Sequence, residues 1–423
     1  MRRLLAATAS LLLAIHVSAQ APAGAPISRL DSADALGAEL FAKSGSTGMV
    51  MVVVRGHEVY FRGYGETYPG SGQRPTETSL LRLCSLSKIF ATDLLMKLVK
   101  DGTVSLSDPL QKYAERGVRV PERDGKPITL ESLATHTAGL PREIGPAPRG
   151  SAHFTFPDQK LRWAWLPTAH LASAPSTVAQ YSNLGFDFLG DALEHAAHEP
   201  YPKLFAERIT QPLAMKDTGF TPMPEQCSRL LHGTHNEGEC TSTVNSEASA
   251  GVYSTAADVT HWLQYLMGSN QPAIPMQDLA AQNVYLLPSD LIRQQGLDHS
   301  GDVTGIGLGW MHLADGTPSE LIQKTGGGAG FTTYIALSHP TGTAIFVAFT
   351  DSSTYTHYNV FKGANNLVYQ LNGLPLMPEE KIVHVAPARR RVAPRAKTAH
   401  RATASAKSAT TRPAAKKKPA RKN

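Results

Sequence analysis

Runs of β-branched and aromatic residues lie towards both ends of the chain, and apolar residues with helical spacing fill much of the region between them. The first pattern is typical of strands and the second of amphipathic helices. Towards the amino end the patterns predict a short helix, a two-stranded hairpin and a long helix, over residues 33–43, 48–54 with 58–64, and 85–100. Arg55-Gly56-His57 supplies the turn of this hairpin, and Asp101-Gly102 ends the long helix.

From residue 104 to about residue 300 the chain is rich in proline and glycine, with four helical candidates at 130–135, 185–197, 201–209 and 256–267. Strand patterns then return, followed by a closing helix, over 305–313, 319–323, 331–337, 343–349 and 358–371. We therefore predict a sheet whose edge strands come from opposite ends of the sequence, plus an all-helical subdomain. A ligand cleft is expected between the two.

Charge is distributed unevenly along the 423 residues. Residues 384–423 hold thirteen Lys/Arg and no Asp/Glu, whereas the remainder without Arg2 and Arg3 holds 26 basic and 35 acidic residues. The net charge of +6 thus averages an acidic globule and a basic tail. An apolar share of 42% lets the globule bury a sizeable core. The tail has too little apolar surface to offset its ordering entropy, so we expect it to be disordered.

Residues 1–19 have the pattern of a secretory signal peptide: a basic start, an apolar stretch and the small-residue exit Val17-Ser18-Ala19. Cleavage before Gln20 predicts an exported protein whose folded domain spans 20–383. An ordinary N-terminal helix and an uncleaved anchor are the alternatives.

Three cysteines in an exported chain leave one unpaired. Cys227 and Cys240 bracket a polar loop and are the better disulfide pair, whereas Cys84 lies in an apolar run that predicts a buried thiol. The same loop holds residues that could bind zinc together with Cys240, namely His232, His235, Glu237 and Glu239. A polar loop closed by a disulfide explains this composition without a metal, so we predict neither metal nor cofactor.

Ser85-Leu86-Ser87-Lys88 opens the long helix, and its three-residue step brings Lys88 onto the face of Ser85. Desolvation or a neighbouring positive charge favours the neutral amine, which can take the proton from Ser85 Oγ. The N-terminus of the helix also offers N–H groups to a developing oxyanion. Alone the motif is weak, because a helix start with a solvated lysine gives the same pattern.

Two further motifs favour a catalytic role for Ser85 and Lys88 over a helix start with a solvated lysine. Tyr181-Ser182-Asn183 could direct a phenol and an amide into one cleft, although a half-buried tyrosine bonded to the backbone is the alternative. Lys324-Thr325-Gly326-Gly327-Gly328 lies between two predicted strands, where its small residues would let a substrate backbone approach and its Lys/Thr pair would offer donors to a carboxylate. A glycine-rich turn is the alternative here, and the residue order excludes a phosphate loop.

S-x-x-K, Y-x-N and K-T-G each occur once, in that order, at residues 85, 181 and 324. This combination resembles the serine penicillin-recognising enzymes, and Y-x-N indicates the class C β-lactamase branch. The resemblance spans about 30–374, and further segments carry it: 128–130, 136–140, 212–218, 251–255 and 307–310. Other segments look most like the D-alanyl-D-alanine carboxypeptidases and endopeptidases of that branch: 64–67, 133–137, 140–143, 215–218 and 322–328. Cys84, in place of a smaller residue, and the basic tail depart from the family pattern.

The resemblance implies a β-lactamase/transpeptidase-like fold, of the α/β class and α+β type, with an antiparallel sheet, flanking helices and the all-helical subdomain. It also implies that Ser85 is the nucleophile, Lys88 its activating partner and Tyr181 a second proton shuttle. Asn183 would orient the substrate amide. Which of Lys88 and Tyr181 is the principal base stays open.

For the substrate, the resemblance implies that Lys324 and Thr325, with Gly326 beside them, bind a terminal carboxylate. The backbone N–H groups of Ser85 and Gly327 would form the oxyanion hole.

The function implied is that of a penicillin-binding serine DD-peptidase acting on peptidoglycan in the periplasm. A β-lactamase or esterase using the same residues is the alternative, and a non-catalytic envelope-binding protein is a third hypothesis that the intact motifs argue against. Export argues against nucleic acid as a partner of the basic tail. Anionic envelope polymers or the membrane surface are the predicted partners, and a solvated tail without a partner is the alternative.

Overall fold

A computed structural model of the chain describes residues 30, 32–234, 238–269, 281–297, 300–350 and 354–378. Contacts divide the chain into two units, Met1–Met377 and Pro378–Asn423, and every element given below belongs to the first. The predicted signal peptide and basic tail lie outside the described residues, so both stay predictions, as do the boundaries of the folded domain.

The described residues form fourteen strands: β1 (Gly48–Arg55), β2 (Glu58–Gly65), β3 (Leu80–Arg82), β4 (Glu122–Arg123), β5 (Lys126–Pro127), β6 (Val178–Gln180), β7 (Tyr253–Thr255), β8 (Tyr285–Leu286), β9 (Arg293–Gln295), β10 (Val303–Gly307), β11 (Met311–Leu313), β12 (Leu321–Gly328), β13 (Phe331–Ser338) and β14 (Thr343–Thr350). Eight of them form one sheet in the order β2-β1-β14-β13-β12-β11-β10-β8, with antiparallel pairing throughout. The N-terminal hairpin therefore enters the sheet beside the last strand, where Val52 pairs with Phe346.

Nine α-helices lie in the described part of the chain: α1 (Ser32–Ser44), α2 (Ser87–Lys100), α3 (Leu130–Ala134), α4 (Gln159–Trp165), α5 (Asn183–Ala197), α6 (Tyr201–Phe205), α7 (Pro224–Cys227), α8 (Ala256–Leu266) and α9 (Thr354–Leu371). A 3-10 turn, Cys84–Leu86, precedes α2 and is called the Ser85 turn below. None of the described helices combines the length and the hydropathy that a bilayer span requires.

The two faces of the sheet bury separate cores, because side chains alternate along each strand. On β1, Met51 and Val53 belong to the core formed with α1 and α9. Val52 and Val54 belong to the larger core formed with α2, α5 and α8. The Ser85 turn and α2 therefore lie on the second face.

The predicted fold class is confirmed: an antiparallel sheet with flanking helices and a helical region inserted between its strands. Three predictions were wrong. The edge strands of the sheet are β2 and β8, so one edge comes from the middle of the sequence and not from its end. Residues 305–313 form two strands, β10 and β11, because Gly309, at φ +74°, turns the chain between them. The K-T-G segment lies inside β12 rather than between strands. Its glycine is needed there for close packing, since a Cβ on Gly326 would come within 2.8 Å of the Leu83 carbonyl oxygen.

Candidate active site

Ser85 is held in a turn that other elements fix from two sides. Cys84, the preceding residue, has a left-handed φ of +52°, an uncommon conformation for a residue with a Cβ. The hydroxyl of Ser87 donates to the Cys84 carbonyl oxygen at 2.7 Å, which ties the turn to α2. The hydroxyl of Thr333 donates to the Leu83 carbonyl oxygen at 2.8 Å, which ties it to β13.

The hydroxyl of Ser85 contacts two side chains that can move its proton. Its Oγ lies 3.2 Å from Lys88 Nζ and 2.6 Å from the Tyr181 hydroxyl. Lys88 Nζ also donates to Asn183 Oδ1 at 2.7 Å and to the Ser249 carbonyl oxygen at 2.6 Å. A neutral amine has two N–H donors and one lone pair, so these two acceptors leave the lone pair for the Ser85 proton. The structure thus brings the four predicted catalytic residues together.

Lys88 lies in surroundings that favour its neutral form. Burial is the main cause that lowers the pKa of Lys88 well below its ordinary value, and the ammonium of Lys324 and the guanidinium of Arg142 lower it further. The carboxylates of Asp187 and Glu143 act in the opposite direction. A lysine with a lowered pKa can act as a general base near neutral pH.

The ring of Tyr181 stacks on a neutral histidine and is surrounded by cations. The His136 ring lies 4.5 Å from it, with its Nδ1 accepting a hydrogen bond from the Ser182 N–H at 3.1 Å. Burial and the nearby cations lower the pKa of His136 well below its ordinary value, so this ring carries no charge at neutral pH. Three cationic groups lie within 5.0 Å of the Tyr181 ring centroid: Lys88, Arg142 and Lys324. Cations at this distance over the face of an aromatic ring are attracted by its π-electrons, so these contacts help to hold the ring in place.

Asn183 is the first residue of α5, and a cap fixes this helix start. The hydroxyl of Ser182 accepts a hydrogen bond from the Gly185 N–H at 2.9 Å, as at a regular helix N-cap. The Asn183 amide then spans two partners: its Oδ1 accepts from Lys88, and its Nδ2 donates to Oε1 of the exposed Glu143 at 2.6 Å.

The K-T-G residues lie on alternate faces of β12. Gly326 packs against the Ser85 turn, where a Cβ would lie 3.2 Å from the Ser85 backbone nitrogen. Lys324 is two positions away and shares this face. Thr325 lies opposite Tyr334 of β13, on the face of the other core, and its buried hydroxyl has no hydrogen-bond partner among the described residues. The structure therefore brings Lys324 and Gly326 to the site and directs Thr325 to the other side of the strand.

Part of the β12 edge has no neighbouring strand in the described structure. Pairing with β11 extends only as far as Gln323, so no described strand pairs with β12 beyond that residue on this side. Gly327 lies in this part of β12, is exposed, and has no atom within 4 Å of the position that a Cβ would take. An extended substrate can pair with such an edge, where groups on both faces of the strand can reach it.

Four residues that surround Lys88 and Tyr181 were not predicted as site residues: His136, Glu143, Asp187 and Ser249. Asp187 is buried one turn beyond Asn183 on α5, and burial raises the pKa of its carboxyl to about 7. The sequence could have indicated Asp187, because its spacing of four residues from Asn183 places both residues on one face of a helix. Ser249 binds Lys88 through its backbone carbonyl, which no residue pattern marks.

The cysteines are partitioned between the polar loop and the Ser85 turn. Cys227 and Cys240 form a disulfide, and Cys84 is a buried free thiol whose pKa burial raises to about 12. A disulfide sulfur is no thiolate ligand, so the alternative zinc set lacks its cysteine. His235 and Glu237 of that set lie outside the described residues. Elsewhere in the described chain no group of three or more His, Cys, Asp or Glu is placed to hold a metal.

Comparison with known proteins assigns the class of protein that this fold and site define. The β-lactamase family model matches residues 33–360, and the chain belongs to this family. It is 42% identical to the D-alanyl-D-alanine-carboxypeptidase/endopeptidase AmpH of Escherichia coli K12 over 370 residues, which cover 86% of this chain and 94% of AmpH.

Solved structures agree with this assignment. A β-lactamase/D-alanine carboxypeptidase from Yersinia pestis is 40% identical, with a TM-score of 0.78 over 81% of this chain and 98% of that chain. A class C β-lactamase at 21% identity and a TM-score of 0.63 shares the fold, with 82% of this chain and 97% of that chain covered. The predicted family, fold class and serine hydrolase class are confirmed.

Proposed function

We propose that this protein is a serine D-alanyl-D-alanine carboxypeptidase and endopeptidase that cleaves peptidoglycan peptides through an acyl-enzyme and is acylated by β-lactams. The observation that carries the proposal is the position of Ser85 Oγ, within hydrogen-bond distance of Lys88 Nζ and the Tyr181 hydroxyl. The site lies beside the part of β12 that extends past its pairing with β11 in the described structure. The activities for which AmpH and the Yersinia pestis protein are named support the same chemistry.

In the acylation step, Ser85 Oγ attacks the carbonyl carbon of the peptide bond between the two D-alanines. Its proton passes to the lone pair of neutral Lys88 or, through the shared hydrogen bond, by way of Tyr181. The tetrahedral oxyanion accepts hydrogen bonds from the Ser85 and Gly327 N–H groups. Collapse of this intermediate breaks the C–N bond, and the departing D-alanine amine takes up the transferred proton. The acyl group remains on Ser85 as an ester.

In the second step, water loses a proton to Lys88 or Tyr181 and attacks the ester carbon, the bond to Ser85 Oγ breaks, and Oγ takes up the proton as the acyl product leaves as a carboxylic acid. The terminal carboxylate of the substrate, which leaves with D-alanine in the first step, is assigned to Lys324 at the β12 edge, and the substrate amide is assigned to Asn183. An endopeptidase reaction differs only in the leaving amine, which then belongs to a cross-linked residue. The same residues would serve a β-lactamase, so the two activities differ in how fast the acyl-enzyme hydrolyses.

Comparing turnover of muropeptides with turnover of a cephalosporin tests this proposal. We expect release of D-alanine from a muropeptide ending in D-alanyl-D-alanine, and slow turnover of the cephalosporin after stoichiometric acylation. Rapid cephalosporin hydrolysis without D-alanine release would establish the β-lactamase alternative instead. Loss of both reactions in Ser85→Ala is the control for the active site.

We further propose that the protein is exported to the periplasm and that residues 384–423 bind anionic envelope polymers or membrane surface. Support comes from the signal-like pattern of 1–19 and from the thirteen positive charges of the tail. Co-sedimentation with anionic vesicles and with sacculi, at low and high salt, compares the full chain with a chain ending at Val383. Stronger pelleting of the full chain, reduced by salt, is expected. Equal pelleting at low salt would contradict this role.

A further inference from the structure

Glu143 is an exposed carboxylate next to the catalytic machinery. Its Oε1 accepts a hydrogen bond from Asn183 Nδ2 at 2.6 Å, and Asn183 Oδ1 in turn accepts from Lys88 Nζ at 2.7 Å. The Glu143 carboxylate is therefore two hydrogen bonds away from the amine that contacts Ser85. These two hydrogen bonds connect it to the reacting atoms.

No cationic side chain in the described structure forms an ion pair with Glu143. The guanidinium of the adjacent Arg142 lies over the Tyr181 ring, 4.7 Å from its centroid, and forms no ion pair with Glu143 in the described structure. An ionised carboxylate has about four acceptor sites, and the hydrogen bond from Asn183 uses one of them. The remaining acceptor sites are open to a donor that enters with the substrate.

A carboxylate at this position works against the catalytic base. A glutamine amide oxygen would accept the same hydrogen bond from Asn183 without adding charge. The negative charge of Glu143 instead raises the pKa of Lys88 and so favours its protonated, unreactive form. A cation bound to Glu143 would cancel this effect at the moment when substrate occupies the site.

We propose that Glu143 determines substrate specificity by binding a side-chain ammonium group on the acyl-donor part of the substrate, at the residue that precedes D-alanyl-D-alanine. This inference rests on the proposed function. The terminal carboxylate is assigned to Lys324 on β12, whereas Glu143 is bonded to Asn183 on α5, the element that carries the amide contact. The ammonium therefore belongs to the part of the substrate that stays on Ser85, and the preferred substrate contains a diamino acid.

Two peptides that differ by one acetyl group test the proposal. Nα-acetyl-L-lysyl-D-alanyl-D-alanine has a free ε-ammonium, and its Nε-acetylated analogue has none. For the full-length wild-type chain we expect kcat/KM to favour the free amine by about tenfold, as for a charge-assisted hydrogen bond. In Glu143→Gln, which retains an acceptor for Asn183, this preference falls below about twofold.

A second readout separates charge recognition from a structural role. Removing the negative charge lowers the pKa of Lys88, so the acid limb of the pH profile of kcat/KM for the acetylated peptide shifts to lower pH in Glu143→Gln. Glu115→Gln removes an exposed carboxylate outside the site. This control variant should retain the preference for the free amine and keep the acid limb of the kcat/KM profile at the wild-type pH. An undiminished preference for the free amine in Glu143→Gln would overturn the proposal.

Failure of the proposed function gives a different result. If the wild type cleaves neither peptide but is acylated by penicillins, the DD-peptidase proposal fails. The ammonium site is then tested by comparing acylation by ampicillin, which has a side-chain amine, with acylation by benzylpenicillin, which has none. A faster acylation by ampicillin that Glu143→Gln abolishes would then support the ammonium site. The ammonium site would be overturned if the ratio of the ampicillin and benzylpenicillin acylation rates were the same in the wild type and in Glu143→Gln. It would also be overturned if the wild type reacted with none of these compounds.

Discussion

The two faces of the central sheet carry different kinds of side chain. On the α1 and α9 face, Met51, Val53, Ile345 and Val347 are fully buried in an apolar core. On the other face, the region around the Ser85 turn buries charged and polar groups, including Lys88, His136, Asp187 and Lys324. The first face includes uncharged polar groups such as Thr325, whereas the second also buries charged groups, whose burial is unfavourable unless they are paired.

The burial of these polar groups alters their chemistry. Desolvation lowers the pKa of Lys88 and of His136 and raises that of Asp187. His136 Nε2 has no hydrogen-bond partner among the described residues, and Cys84 and His136 both have positive φ values. Such features destabilise a fold and persist when the surrounding structure determines them. Because the larger core lies on the active-site face, the separable contribution is that of the other face: substitutions in the α1 and α9 core should lower stability without lowering activity.

The largest effects are expected from the two groups that contact Ser85 Oγ. Lys88→Ala and Tyr181→Phe should each lower the rate of acylation by about 10² to 10⁴, because proton transfer contributes that much to a reaction. Stopped-flow measurement with a chromogenic β-lactam gives this rate. A loss below about tenfold in both variants would contradict the role of these residues in proton transfer.

A substitution on the α1 and α9 face should lower stability and leave activity nearly unchanged. Ile345→Ala removes a fully buried side chain from the α1 and α9 core, so the free energy of unfolding should fall by about 2 to 5 kcal/mol. Denaturant unfolding measures this loss, and kcat/KM of the folded protein should stay within about twofold of wild type. If activity fell in proportion to stability, the two faces would not be independent.

A smaller effect is expected at Lys324, and it has two parts. Lys324→Ala should lower kcat/KM for substrates with a free carboxylate by about 10- to 100-fold, because a charge-assisted hydrogen bond to that carboxylate is lost. The ammonium of Lys324 also lowers the pKa of Lys88, so its removal raises that pKa and a larger fraction of Lys88 is protonated at a given pH. The acid limb of the activity profile should therefore shift to higher pH.

An ester substrate without a carboxylate isolates the effect of Lys324 on the pKa of Lys88, because such a substrate has no carboxylate for Lys324 to bind. Lys126→Ala, which removes an exposed ammonium of β5, serves as the matched control and should leave the acid limb in place. A shift to lower pH in Lys324→Ala would mean that Lys324 does not depress the pKa of Lys88.

The sequence predicted those parts of the molecule that local patterns determine. The S-x-x-K spacing lies within one helical turn, so Ser85 and Lys88 could be paired in advance, and runs of β-branched and aromatic residues indicated the long strands of the sheet. The K-T-G segment was predicted outside a strand because glycine is rare within strands. Its place in β12 depends on close packing against the Ser85 turn, a tertiary contact.

The contacts of Glu143 and Ser249 could not be predicted for the same reason. Glu143 reaches Asn183 from a distant loop, 40 residues away in sequence. Ser249 binds Lys88 through a carbonyl group, 161 residues away. Neither contact leaves a periodic signal, and both depend on how the helical region folds onto the sheet.

The measurement that tests the account most directly is the identification of the residue acylated by a fluorescent penicillin. Peptide mass spectrometry should place the adduct on Ser85, and Ser85→Ala should abolish labelling while the protein unfolds at the same denaturant concentration. Ser87 is a matched control, because its hydroxyl is committed to the Cys84 carbonyl oxygen and the Val252 N–H. Ser87→Ala should therefore retain the adduct at Ser85. An adduct on Ser87 or on another peptide would contradict the assignment of the nucleophile and, with it, the proposed mechanism.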